Sequence, residues 1–138
     1  MSGDGGLHGS ARWHTKGVRI VYTSTSTPLA MLEIAVNLRK ATVIPAYKVM
    51  EVDIPDALVM QLTPADLPRG WDEKVAEPLV SRSIGNLWLK SAVSLGLMIP
   101  SVVVTDQYNV LINPLHPEFD QISYNPPIDF PFDFRIKA

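Results

Sequence analysis

Apolar residues recur at helical spacing in two stretches of this chain, 28–40 and 84–95. Elsewhere they alternate, or run in short segments closed by proline or glycine. In the first stretch Thr27 stands as N-cap and Pro28 takes the first helical position, a good helix start. Leu29, Leu32 and Val36 then share a stripe, with Arg39 and Lys40 at the end that favours cations. Ala30, Met31, Ile34 and Ala35 widen the apolar surface, which predicts a helix over 28–40 buried on most sides. In the second stretch Ile84, Leu87, Trp88, Ala92 and Leu95 fall at helical offsets.

Around these helices the pattern is that of strands. Val18–Tyr22 is branched and aromatic, residues 46–54 alternate, and Leu97–Val104 is strongly apolar, with Pro100 marking a bulge or an edge. Val110–Ile112 is a short strand, and Phe130, Phe132, Phe134 and Ile136 alternate in a closing one. Residues 1–11 are rich in Gly and Ser and read as a flexible or loop-like lead. Residues 55–83 carry four of the twelve prolines and read as a long ordered loop. The mixed order predicts one compact α+β (mixed α/β) domain over 1–138, with no internal repeat.

Composition narrows the function. The chain has no cysteine, which excludes disulfides, thiolate metal sites and a cysteine nucleophile. Its net charge of −2 carries no basic stripe of the kind that binds nucleic acid. His8, His14 and His116 lack a metal-type spacing, so no metal site is expected. No apolar run reaches the roughly 18 residues needed to cross a bilayer, and the acidic, Gly-rich start is unlike a signal peptide. The expected compartment is the cytoplasm.

Glu33 is the best physical clue to a site. It shares the apolar stripe of Leu29 and Val36, where a carboxylate is costly unless partnered or facing a cavity. It is either a structural glutamate at the helix edge, or paired to an arginine, or a cleft carboxylate able to hold a ribose hydroxyl and stabilise positive charge on a sugar. Arg12, beside Trp13 and between Gly9 and Gly17, is a solvated loop arginine or a phosphate clamp. Tyr22 is a core tyrosine or a stacking platform. Ser101 bonds its own backbone or contacts ligand, and without a Gly-x-Ser-x-Gly elbow it is no hydrolase nucleophile. Asn113-Pro114 reads as a turn. No dinucleotide fingerprint or P-loop occurs.

A string of segments then adds a family. Ser2–Gly6, Ala11-Arg-Trp13 with Gly17, Ile20–Tyr22, Leu29–Glu33 and Ile54-Pro-Asp56 come first. Leu67–Trp71, Ile84–Leu89, Ile99–Val103, Leu111–Pro114, His116–Phe119 and Phe132–Ile136 follow in order. Together they resemble the RES domain, the toxin of RES–Xre toxin–antitoxin pairs. The resemblance implies a fold like that of ADP-ribosyltransferases and an enzyme that degrades NAD, by hydrolysis or phosphorolysis at the nicotinamide–ribose bond. It implies NAD as substrate, no separate cofactor, and an Xre-type antitoxin as partner.

By that resemblance the family's arginine, glutamate and serine fall on Arg12, Glu33 and Ser101, and its tyrosine on Tyr22. Arg12 would bind the NAD phosphates, Tyr22 would pack on the nicotinamide or its ribose, Glu33 would hold the ribose hydroxyl, and Ser101 would line the nicotinamide end. A transferase acting on a macromolecule, or an inactive module that only binds an antitoxin, are the other functions the resemblance accommodates. The chain departs from the family's usual pattern at Ala11, His14 and Asn86, where glycine, asparagine and aspartate are commoner. It also begins at the Gly-Asp-Gly segment, which leads to the expectation that a preceding strand is absent. A sheet edge exposed there would be a place for self-association.

Overall fold

The computed structural model describes residues 1–38, 46–133 and 135. Its helices are α1 (Gly5–His8), α2 (Thr27–Asn37) and α3 (Leu79–Ser91). Its strands are β1 (Val21–Ser24), β2 (Tyr47–Val49), β3 (Val52–Asp53), β4 (Val59–Gln61), β5 (Gly96–Pro100), β6 (Tyr108–Ile112), β7 (Ser123–Tyr124) and β8 (Ile128–Phe130).

The centre is a four-stranded sheet in the order β1-β6-β5-β4, antiparallel except for the parallel pair β4–β5. The strands β2 and β8, and β3 and β7, form separate two-stranded sheets. The expected α+β architecture with a mixed sheet and few helices is what the chain adopts.

The central strands are the most apolar in the sequence, and the period of two sorts their side chains. Leu97, Ile99 and Leu111 on one face pack with Trp13, Ile20 and Trp88. Val110 and Ile112 on the other face pack with Leu95. Each such buried side chain contributes about 1.5–3 kcal/mol. Among the described residues no helix is long and apolar enough to cross a membrane.

Several expectations are corrected. The lead is not loose. Gly6 lies so close to Val18 that a Cβ there would stand 2.1 Å from its carbonyl oxygen, and Gly17 N–H donates to the Gly6 carbonyl at 2.9 Å. The first strand lies three residues later than read, because Val18–Ile20 packs against this lead instead.

Ser26, not Thr27, caps α2, accepting from the Leu29 N–H at 3.3 Å. The helix is not buried on most sides. Leu29 is its buried residue, while Leu32 and Val36 are each 41% exposed. Its expected basic end, Arg39 and Lys40, and Pro45 lie outside the described residues, as do Phe134 and Ile136.

The alternating stretch 46–54 is split between β2 and β3, which pair with different partners. The closing strand is β8, earlier than read. The proline-rich stretch 55–83 contains β4, two single 3-10 turns and the start of α3. Here α3 begins at Leu79, directly after Pro78, and stops at Ser91 because Ala92 turns left-handed, with φ 52°.

β5 is an inner strand, but its pairing with β4 ends at Met98, so Pro100 marks a local edge, and the unbroken register with β6 shows no bulge. Ser101 N–H donates to Gln107 O at 2.8 Å, so the preceding nitrogen faces the other side. There the last bond from the β4 segment, Leu62 N–H to Met98 O, is already passed.

Candidate active site

One face of the central sheet changes character along its length. The register sets Tyr22 across from Leu111, Ser24 across from Asn109, and Asn109 across from Ile99. Cross-strand partners share a face, so the apolar layer of Leu97, Leu111 and Ile99 gives way to Ser24, Asn109 and Ser101 at its end. The chain leaves β1, turns at its Ser26 cap and enters α2, which delivers Glu33 to this polar end.

There Glu33 Oε1 accepts two hydrogen bonds of 2.7 Å, from Ser101 Oγ and from Asn109 Nδ2. Both donors have fixed orientations. Ser101 Oγ accepts the N–H groups of Val103 and Val104 at 3.0 and 3.1 Å, so its single proton is left for Glu33. Ser24 Oγ donates to Asn109 Oδ1 at 2.7 Å, which turns the amide nitrogen toward the carboxylate. Ser101 and Asn109 are both shielded, Ser101 being buried. Glu33 is thus held by one oxygen, and its Oε2 has no hydrogen-bond donor among the described residues.

A second group is held by α3, which grips residues 11–15 along one side. Ser81 Oγ, wholly buried, donates to the Arg12 carbonyl at 2.7 Å, and Arg82 Nε donates to the Ala11 carbonyl at 2.7 Å. Gly85 lets the backbones touch, since a Cβ there would stand 1.7 Å from the Trp13 oxygen. Asn86 accepts from Thr15 N–H at 3.0 Å and donates to Thr15 Oγ1 at 2.9 Å.

From this clamped segment the Arg12 guanidinium donates through one nitrogen to the carbonyls of Glu73 (3.0 Å) and Trp71 (3.4 Å). Burial lowers its pKa, and the nearby charges of Glu33 and Asp72 oppose that shift. Burial of the Tyr22 hydroxyl raises its pKa, although 41% of the residue is exposed. That hydroxyl lies 2.7 Å from His14 Nδ1 and accepts the Trp13 N–H at 3.3 Å.

Beside these groups lies a cleft of about 440 Å³, lined by Trp71, Asp72, Lys74, Pro100, Ser101 and Tyr108 among others. That size lies within the roughly 300–1,000 Å³ of small-molecule sites. Ser101 is in its wall. Arg12 donates to the carbonyl of Trp71, in that wall, and to that of Glu73, and Glu33 is bonded to Ser101. No cluster of three or more His, Asp or Glu suited to a metal occurs among the described residues.

The structure therefore brings Glu33 and Ser101 into direct contact and sets Arg12 within the field of Glu33 and Tyr22. Among the described residues Glu33 is partnered by a hydroxyl and an amide, not by an arginine. Ser101 both receives its own backbone and reaches a distant side chain. Tyr22 is neither a core residue nor a free hydroxyl. Asn109, Ser24 and His14 join the site without a sequence signal, because their roles depend on strand register and on a tight loop that no local motif announces.

The fold marks a known class. Over 94% of the chain, the backbone follows 76% of a chain in the crystal structure of the M. tuberculosis MbcT–MbcA toxin–antitoxin complex. The TM-score is 0.77 and the identity 16%, so this likeness speaks for the fold. Sequence relatives are nearer. "Toxin Res" of Yersinia enterocolitica is 37% identical over 127 residues, 91% of this chain and 83% of that protein. The "Prs ADP-ribosylating toxin" of a Sphingobium species is 39% identical over 123 residues, 86% of this chain and 74% of that protein. The RES-domain family model matches residues 1–133, and the chain belongs to that family.

Proposed function

We propose that this RES domain is the toxin of a toxin–antitoxin pair and breaks the bond between nicotinamide and ribose in NAD. The observation that supports this most is the Glu33 carboxylate, fixed by Ser101 and Asn109 through Oε1 alone. A carboxylate held this way is preorganised to stabilise positive charge, and cleavage of an N-glycosidic bond develops such charge on the ribose.

Each residue then has a task. Nε and Nη2 of Arg12, which make no hydrogen bond among the described residues, meet the pyrophosphate, while its Nη1 keeps the guanidinium on the Trp71–Glu73 backbone. The exposed ring of Tyr22 packs on the nicotinamide, and Glu33 Oε2 accepts a ribose hydroxyl. As the C–N bond breaks, its electron pair goes to the nicotinamide nitrogen and cancels the pyridinium charge, leaving the ribose oxocarbenium-like beside Glu33. Water adds to the anomeric carbon and loses a proton, giving nicotinamide, ADP-ribose and H⁺; phosphate adding there gives a phosphorylated ADP-ribose. Ser101 stays a positioning donor throughout, because its proton is committed to Glu33. An Xre-type antitoxin that covers the cleft would switch the enzyme off.

A second reading has a specific observation behind it, the name of the Sphingobium relative, an ADP-ribosylating toxin. In that case the same cleavage delivers ADP-ribose to a macromolecule. Product analysis separates the two: purified protein is incubated with NAD, with and without phosphate. Nicotinamide matched by free ADP-ribose or its phosphate supports the first reading. Nicotinamide matched by label on a cellular protein supports the second, and intact NAD in all arms contradicts both and leaves a binding module.

A further inference from the structure

The loop that carries Arg12 also carries a histidine that the proposed chemistry does not use. His14 is 3% exposed, and both ring nitrogens are engaged. Nε2 lies 2.7 Å from the Gly9 carbonyl, which can only accept, so Nε2 carries a proton. A second proton on Nδ1 would leave a cation in a buried position with no carboxylate bonded to it, so Nδ1 presents a lone pair. The Tyr22 hydroxyl, 2.7 Å away, therefore donates to Nδ1, while its own lone pair takes the Trp13 N–H.

We propose that His14 is the positioning residue of Tyr22, which ties the phenol to the Gly9 loop and so fixes the plane of the ring that faces substrate. A phenol O–H lies in the plane of its ring, because the oxygen lone pair is conjugated with it. Directing that O–H at Nδ1 thus sets the rotation of the ring as well as its position. The two rings stand 5.6 Å apart at 51°, so the imidazole takes the proton edge-on and does not cover the phenol. The outcome is a tyrosine with its hydroxyl buried while 41% of the residue stays exposed. It offers substrate a flat, electron-rich face and no hydrogen bond. Such a face favours a cationic aromatic group in the ground state, and that charge vanishes on cleavage. Losing the orientation therefore weakens substrate binding more than it slows the chemical step.

This inference rests on the NAD reading for its kinetic test but not for its structural one. Two substitutions divide the histidine in half. The amide of His14→Asn reaches only as far as Nδ1 and keeps the acceptor for Tyr22. The amide of His14→Gln extends to the place of Nε2 and keeps the Gly9 contact alone. The expected result is a KM for NAD raised about tenfold in His14→Gln and equally in Tyr22→Phe, the worth of one hydrogen bond, with kcat changed much less. His14→Asn restores most of the parent's KM, and the double variant His14→Gln/Tyr22→Phe is no worse than either single one.

A His14→Gln protein with the parent's KM, or a double variant whose losses multiply, overturns the proposal. If His14→Gln does not fold, nitrogen NMR of the imidazole decides. Nδ1 is expected to be unprotonated, with a resonance that moves in Tyr22→Phe, and an identical resonance in both proteins overturns the proposal. The same spectra decide if the parent leaves NAD intact, an outcome that would remove the proposed function and not this contact.

Discussion

Ser24 and Asn109 face each other across the β1–β6 ladder, and the 2.7 Å bond from the serine hydroxyl to Asn109 Oδ1 aims the asparagine amide at Glu33. Glu33 is thereby coupled to the sheet through two independent donors, one from β6 and one, Ser101, from the end of β5. The arrangement predicts how the carboxylate responds when its supports are removed.

Ser101→Ala removes the proton given to Glu33 and leaves the Val103 and Val104 N–H groups without their acceptor. We expect a loss of about 1–3 kcal/mol in stability and a fall in kcat of about tenfold or more. Asn109→Leu is expected to lower kcat similarly, with KM nearly unchanged. Thermal melts and steady-state NAD kinetics check both, and unchanged kcat in both proteins would mean that Glu33 needs neither support.

Gly85→Ala reverses a usual sign. In an exposed helix interior this change stabilises by up to about 1 kcal/mol. Here the new Cβ would meet the Trp13 carbonyl at 1.7 Å. Both contacting atoms belong to elements fixed by the Ser81, Arg82 and Asn86 bonds, so neither yields easily. A loss of about 3 kcal/mol or more is expected, read as a lower midpoint in urea, together with weaker NAD binding as Arg12 shifts.

Acid should destabilise the fold through His14. Burial lowers its pKa from 6.5, the Gly9 carbonyl bond opposes this, and the Arg82 cation adds a small downward push. Because the folded value is the lower one, the unfolded chain binds more protons between the two values. Stability is therefore present in full above 6.5 and is lost as pH falls toward the folded value. Thermal midpoints measured from about pH 7.5 to 5 should drop more steeply in the parent than in His14→Asn, and parallel curves would contradict the assignment.

How much of this was legible in the sequence differs from residue to residue. Glu33 stood out because a carboxylate among Leu29, Ile34 and Val36 demands a partner, and partners were found. The burial inferred for the same helix was wrong, since Leu32 and Val36 are apolar yet remain exposed. Arg12, Tyr22 and Ser101 were ambiguous as isolated residues, and only the ordered family segments selected them. Asn109 and Ser24 were invisible, because nothing near either residue announces a register that joins positions 85 apart in sequence. β4 was hidden by its three-residue length between Pro55 and Pro64, and Ala92 ended α3 without the glycine that normally signals a left-handed stop.

The central claim is that the Glu33 carboxylate drives cleavage of NAD. Its most direct test is NAD consumption by the purified protein and by Glu33→Gln, a substitution that keeps size and removes charge, at matched folded concentration. NAD loss is expected with the parent, and a rate lower by at least about a hundredfold in Glu33→Gln. Equal rates in the two proteins, or intact NAD with a folded parent, would contradict the claim.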